Sequence, residues 1–256
     1  VTPDFDDYKL ANPLLEKVKS GKIDESVIDE RIERILTMME RIKLGDKTRN
    51  KGCTNTKDHQ QTIQQIAEEG IVLLKNDTAH LPLSKETKKI LVLGDNAKRT
   101  HAAGGGSAEI KALYDISPLL GMRMVLGGDA QIDWLPGYYV DNEKHVAGEV
   151  DWQAESLDVD YTTDRGKEQF DKEIRPIREK YLKEALDACP SYDEVIFIGG
   201  LNHAYDVEGF DRPDMTLPYG QNEVIEALTE KCKNLTVVLI NGGPVEMPWI
   251  NKANSL

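Results

Sequence analysis

Positive charge is in short supply in this 256-residue chain: 32 lysines and arginines stand against 45 aspartates and glutamates, a net charge of −13. So acidic a surface repels phosphates, and its basic residues are scattered among acidic ones rather than gathered in a stripe, which excludes a nucleic-acid partner. Cysteine is scarce as well. Cys53, Cys189 and Cys232 leave an odd thiol and form no CxxC pair, so neither a zinc site nor a disulfide framework is indicated and free thiols are expected. No apolar run approaches the ~20 residues that cross a bilayer. The opening VTPDFDDYK also lacks signal-peptide character, so no membrane partner is expected. Localisation stays open between cytoplasmic and secreted or periplasmic, because a leader could lie upstream of a chain that is part of a longer one.

What the chain does have is alternation. From Asp58 onward helical and strand-like segments succeed one another, which predicts an α/β fold: a mainly parallel sheet with helices on both faces, an α/β sandwich. Strands are expected at residues 90–93, 130–134, 194–198 and 235–240, and Gly199-Gly200 is expected to end the third. Asp58, with Gln61 in the capping-box position, is expected to cap a helix whose inner face is Ile63, Ile66, Ala67, Gly70 and Ile71. Ser117-Pro118 reads as a cap followed by proline at the first helical position. Further helices are expected at 174–188 and 221–232, and residues 138–172 read as a long loop. Ahead of all this, Asp24 caps a helix with an apolar stripe of Ile28, Ile32, Ile35, Met39 and Ile42 that needs a partner.

The most informative stretch is IFIGGLNHAYDVEGFDRPDMTLPYGQ, residues 196–221. It carries Asp206, Glu208, Asp211 and Arg212 on a loop that leaves a buried strand, and in open α/β sheets ligands gather beyond the carboxyl ends of the strands. Glu208 on such a loop suits a proton donor whose pKa partial burial would raise. A bare Glu-Gly dipeptide is otherwise a solvated loop residue. Asp211 and Arg212 read either as a pair that turns Glu208 inward or as a plain surface ion pair; Asp206 is a turn residue or a fallback acid. His203 is a candidate partner for substrate or Glu208, although no second His or Cys is spaced to make a metal site with it. Trp152 is the candidate stacking wall for a ligand ring, whereas Trp249 reads as packing. Lys75-Asn76 reads as a helix end with Asn as its cap. The loop Gly104-Gly105-Gly106-Ser107 invites a nucleotide-binding, Rossmann-like reading, but no GK[ST] or GxGxxG spacing follows.

EGFDR followed by an LPYGQ helix start resembles the second-domain signature of glycoside hydrolase family 3, the β-glucosidase family. GIVLLKND with LPL, ILVLGDNA, AGGGSA with SPL, and VVLINGGPVEMPWI agree in the same order, leaving only residues 131–172 without a specific match. The resemblance implies that Glu208 is the catalytic acid/base of a retaining enzyme working by double displacement, without cofactor or metal. It sets Gly105 and Ser107 near the sugar, where a purely structural turn is the competing reading. The partners implied are a β-linked oligosaccharide or glucoside and an N-terminal (β/α)8 barrel that carries the nucleophile, an aspartate absent from this chain. Residues 1–45 then become the tail of that barrel and the linker start, and 46–256 an α/β sandwich incomplete at its C-terminus. The chain is accordingly expected to be a fragment, inactive alone. The alternative from another class is a non-catalytic carbohydrate-binding α/β module.

Overall fold

The computed structural model describes residues 8–101, 110, 112–140, 164–203, 205–206 and 212–256. Two compact units result, Val1–Ile71 and Val72–Leu256.

The first unit contains α1 (Asn12–Lys19), α2 (Glu25–Arg41) and α3 (Lys57–Gly70). Asp24 caps α2 as expected, accepting from the Ser26 N–H at 2.9 Å; hydrogen bonds from Ser26 hold its carboxyl below the usual range. The cap of α3 is Thr56 rather than Asp58. Thr56 has extended backbone and its hydroxyl oxygen accepts from the His59 N–H at 3.2 Å, which leaves Asp58 in the first turn, where its charge favours the helix's positive end. Ile32 and Ile35 of α2 and Ile42 just after it, from the stripe expected to need a partner, are exposed, as are Ile63 and Ile66 of the expected inner face of α3.

The second unit is built on four parallel strands, β1 (Lys89–Leu93), β2 (Gln131–Leu135), β3 (Glu194–Gly200) and β4 (Leu235–Ile240), in the spatial order β2-β1-β3-β4. Side chains alternate across a strand, and here both sides are buried. Leu91, Leu93, Val195, Phe197, Leu235 and Val237 enter one core with Val224, Ile225 and Leu228 of α7 (Gln221–Lys231), Ala185 of α6 (Arg175–Ala188) and Trp249. Ile90, Val92, Ile132, Ile196 and Ile198 enter the other with Leu119 of α4 (Pro118–Leu126). This is the expected sandwich, with helices on both faces of a parallel sheet.

Details depart from expectation where local chemistry was misread. Gly199 and Gly200 close β3 as its last two paired residues, opposite Leu239 and Ile240 of β4, rather than as a stop after Ile198. Residues 164–172, expected in a loop, are helical: α5 (Asp164–Gln169) and a π-helical turn at Phe170–Ile174 run into α6. Lys75 and Asn76 lie beyond the end of α3. The Lys75 ammonium donates to the Ile250 carbonyl at 2.8 Å, and the Asn76 amide brackets Leu81, accepting from its N–H at 2.9 Å and donating to its carbonyl at 2.8 Å. Their work is structural, as read, but by tertiary bonds rather than by ending a helix. The three cysteines are free thiols; Cys189 is buried, and burial followed by its contact with Cys189 pushes the Cys232 thiol up.

Candidate functional site

The strand order fixes where a ligand would lie. From β1 the chain goes to β2 on one side, then crosses to β3 on the other, so the connections leaving β1 and β3 depart in opposite directions. Between their carboxyl ends opens the crevice that parallel α/β sheets use for binding. Gly94 follows β1 and Gly200 closes β3, and Gly94 lies close against the β3 backbone: a Cβ on it would collide with the Ile198 carbonyl.

One wall begins with Asp95 and Asn96. Asn96 is buried, and its amide donates to the carbonyls of Gly199 at 2.9 Å and Leu201 at 3.0 Å, stitching the β1 loop to the end of β3. Asp95 pairs with Arg99. His101 is exposed as a residue while its ring is partly desolvated; that desolvation, with His203 and Arg99 nearby, holds its imidazole below the ordinary value. His203, a predicted site residue, is therefore near His101, just beyond the end of β3.

Beneath these loops three tyrosines pack together, two of them in the core. Tyr138 stacks on Tyr219, with centroids 6.2 Å apart and planes 9° off parallel, and Tyr205 meets Tyr219 edge-on at 5.2 Å. Burial, then the Asp95 charge, pushes the Tyr138 hydroxyl well above its ordinary pKa, so it stays protonated. Tyr219 has φ +64°, a left-handed conformation unusual for a bulky residue, and the buried packing of its ring holds it there. Its hydroxyl oxygen accepts from the Asn202 amide at 2.9 Å. Gln221 completes the frame, accepting from the Gly200 N–H at 2.9 Å and donating to the Gly200 carbonyl at 2.8 Å while fully buried.

Of the remaining predicted residues, Asp206 accepts from the Gly242 N–H at 2.5 Å and Arg212 donates to the Pro244 carbonyl at 2.6 Å. Glu208, Asp211, Gly105, Ser107 and Trp152 lie outside the described residues. Trp249 is core, as read, its indole N–H donating to Asn222 at 2.8 Å. Trp134 donates to the Gly94 carbonyl at 2.9 Å under the Lys98 ammonium, which sits 3.2 Å from its ring centroid. Among the described residues no group of three or more His, Cys, Asp or Glu is arranged to hold a metal ion.

Asn96, Asn202, Tyr219 and Gln221 escaped the reading of the sequence. Gln221 alone left a signal: it shares the α7 stripe with Val224, Ile225 and Leu228, at spacings of three, four and seven, where a polar side chain calls for a buried partner. Gln221→Ala strands two buried backbone groups at about 1–3 kcal/mol each. A loss of about 3 kcal/mol is the expected urea-unfolding result for the chain, and a loss below about 1 kcal/mol contradicts this account.

The family model described as the glycosyl hydrolase family 3 C-terminal domain matches residues 71–256. The β-glucosidase BoGH3A of Bacteroides ovatus is 35% identical, with 98% of this chain and 32% of the relative covered. Thermostable β-glucosidase B of Acetivibrio thermocellus is 32% identical, with 95% of this chain and 28% of the relative covered. The crystal structure of a GH3 β-glucosidase from Bifidobacterium adolescentis superposes with a TM-score of 0.70 at 23% identity, over 99% of this chain and 31% of that one, a likeness of fold. The chain thus spans about a third of the length of the curated relatives it matches.

Proposed function

Because the chain belongs to glycosyl hydrolase family 3, through that family's C-terminal domain, we propose that it is part of a retaining β-glycosidase in which Glu208 is the catalytic acid/base. Residues 1–45 are the tail of a preceding (β/α)8 barrel, which supplies the aspartate nucleophile and most of the sugar pocket. The substrate is a β-linked glucoside or oligosaccharide, attacked at its terminal sugar.

The observation that supports this most is the anchoring of Asp206 and Arg212, the described residues on either side of Glu208, to the segment that follows β4, at the same carboxyl end of the sheet as the crevice. In the first step the barrel carboxylate attacks the anomeric carbon as Glu208 gives its proton to the departing oxygen. In the second, Glu208 takes a proton from the water that attacks the glycosyl-enzyme, restoring the sugar's original configuration. The two carboxyl groups work ~5 Å apart. Before the first step Glu208 must be protonated, which a desolvated position favours. Asp211 and Arg212 fix the loop, Gly105, Ser107 and His203 line the sugar, and Trp152 offers a stacking face.

Proton NMR of an aryl β-glucoside digest by the barrel-containing protein tests the reaction class. The β-anomer of the free sugar is expected first; α-anomer first, or no hydrolysis, overturns it. The 256-residue chain by itself, freed of host glycosidases, is expected to give no turnover above background, and turnover by it overturns the division of the catalytic pair.

A further inference from the structure

We infer that the turn after β4, residues 241–244, is a clasp that sets the position of Glu208, with Asp206 and Arg212 as the positioning residues it grips; the inference rests on the reading of Glu208 as acid/base. Among its described residues the connection between β3 and α7 has no strand or long helix, yet it is fastened repeatedly to one short segment. At its start the Leu201 N–H donates to the Ile240 carbonyl at 3.0 Å and to the Asn241 side-chain oxygen at 3.2 Å. Asp206 then takes the Gly242 N–H at 2.5 Å, and Arg212 donates to the Pro244 carbonyl at 2.6 Å. At its end the Glu246 N–H donates to the Met215 carbonyl and the Thr216 hydroxyl to the Glu246 carboxylate, both at 2.9 Å. Only the five residues 207–211, with Glu208 among them, lie between the two side-chain grips.

The two glycines of the turn show that these grips matter. Neither Gly242 nor Gly243 has a left-handed φ, so their backbones do not demand glycine. Space does. A Cβ on Gly242 would run into the Asp206 carboxylate, and one on Gly243 would come within 3.2 Å of Arg212 Nη2. The turn lacks side chains where the two grips close on it. Arg212 also has a donor to spare, because its Nη1 is buried with no hydrogen-bond partner among the described residues. A lysine could reach the Pro244 carbonyl but would bring no second donor in a fixed plane. Proton transfer depends on sub-ångström placement of the donor, and misplacement of about 1 Å costs up to about 100-fold in rate.

The test compares kcat/KM in the barrel-containing enzyme for a phenyl β-glucoside, whose leaving group needs a proton, and a dinitrophenyl β-glucoside, whose leaving group does not. Gly242→Ala displaces the Asp206 carboxylate without touching the sheet, and about a 10- to 100-fold loss is expected on the phenyl substrate. Less than about 2-fold is expected on the dinitrophenyl substrate, with Tm unchanged. Asp206→Ala should match it, and Asp206→Asn, whose amide oxygen still accepts from Gly242, should recover most of the rate. If Asp206 were itself the acid, Asn would be as damaging as Ala. The double variant Gly242→Ala/Asp206→Ala should be hardly worse than either single one, since both break one contact. Equal losses on both substrates, or additive losses in the double variant, overturn the clasp. Glu208→Ala run alongside separates the two levels: if it shows the leaving-group dependence and Gly242→Ala does not, only the clasp fails, whereas its absence in Glu208→Ala overturns the acid/base reading and the clasp with it.

Discussion

Glu208→Ala in the barrel-containing enzyme is expected to cut kcat/KM for a phenyl β-glucoside by about 10²- to 10⁴-fold, the ordinary worth of a positioned general acid. At 1.36 kcal/mol per decade that is about 3–5 kcal/mol of transition-state stabilisation. For a dinitrophenyl β-glucoside kcat/KM should barely change, because that leaving group departs as a stable anion. The second step still suffers, since no base activates water, so glycosyl-enzyme accumulates and kcat falls. Azide needs no base and fits the space the carboxylate vacates; it should restore kcat and yield β-glucosyl azide, with the original configuration retained. Wild-type behaviour on both substrates would move the acid to Asp206 or the barrel. Asp206 is a poor second choice because its carboxylate already accepts the Gly242 N–H. Sugar binding by a protein indifferent to loss of Glu208 would favour the non-catalytic binding module instead.

The sheet was legible because its strands are short apolar runs with no alternative use. Residues 90–93 and 194–198 are apolar at nearly every position, as strands buried on both faces must be, and the two cores divide them by strict alternation. Ser117 was legible because a cap followed by proline has one reading, and its hydroxyl oxygen does accept the Leu120 N–H at 3.3 Å. Gly199-Gly200 marked the end of β3 but not that both residues pair within it, because glycine does not declare its reason. Here it makes room, Gly199 for the Gln221 side chain and Gly200 for the Ile240 backbone, and the strand includes both before it stops. In LPYGQ any reader gives the left-handed conformation to Gly220; Tyr219 takes it as well, and only a three-dimensional ring stack explains why. The partners of Asp206 and Arg212 lie more than 30 residues away, beyond the reach of a local pattern. The proposed acid/base was visible by resemblance, whereas the bonds of Asp206 and Arg212 on either side of it are tertiary facts.

Gly94→Ala is expected to leave the sheet-bearing unit unfolded or nearly so. Gly94 has φ +105° and ψ 147°, a region that essentially only glycine occupies. An alanine there carries a backbone cost of about 1–3 kcal/mol. The added Cβ would also fall inside contact with the Ile198 carbonyl, which is backbone of a central strand and cannot swing away. The Gly94 N–H and carbonyl are both in use, the first donating to Leu135 and Pro136 and the second accepting from Trp134, so a shift to relieve the clash breaks those bonds too. Together these exceed about 4 kcal/mol, against a total stability of about 5–15 kcal/mol for a typical domain. Urea unfolding followed by circular dichroism should show a collapsed midpoint or no transition. Gly121→Ala is the control, since its helical position on α4 has only the Ile116 methyl nearby at 3.6 Å. That change should stabilise by about 0.5–1 kcal/mol, because alanine loses less backbone freedom than glycine. If Gly94→Ala unfolds like wild type, β1 and β3 do not approach as closely as described. The crevice between their loops, on which the location of the site depends, would then have to be drawn elsewhere.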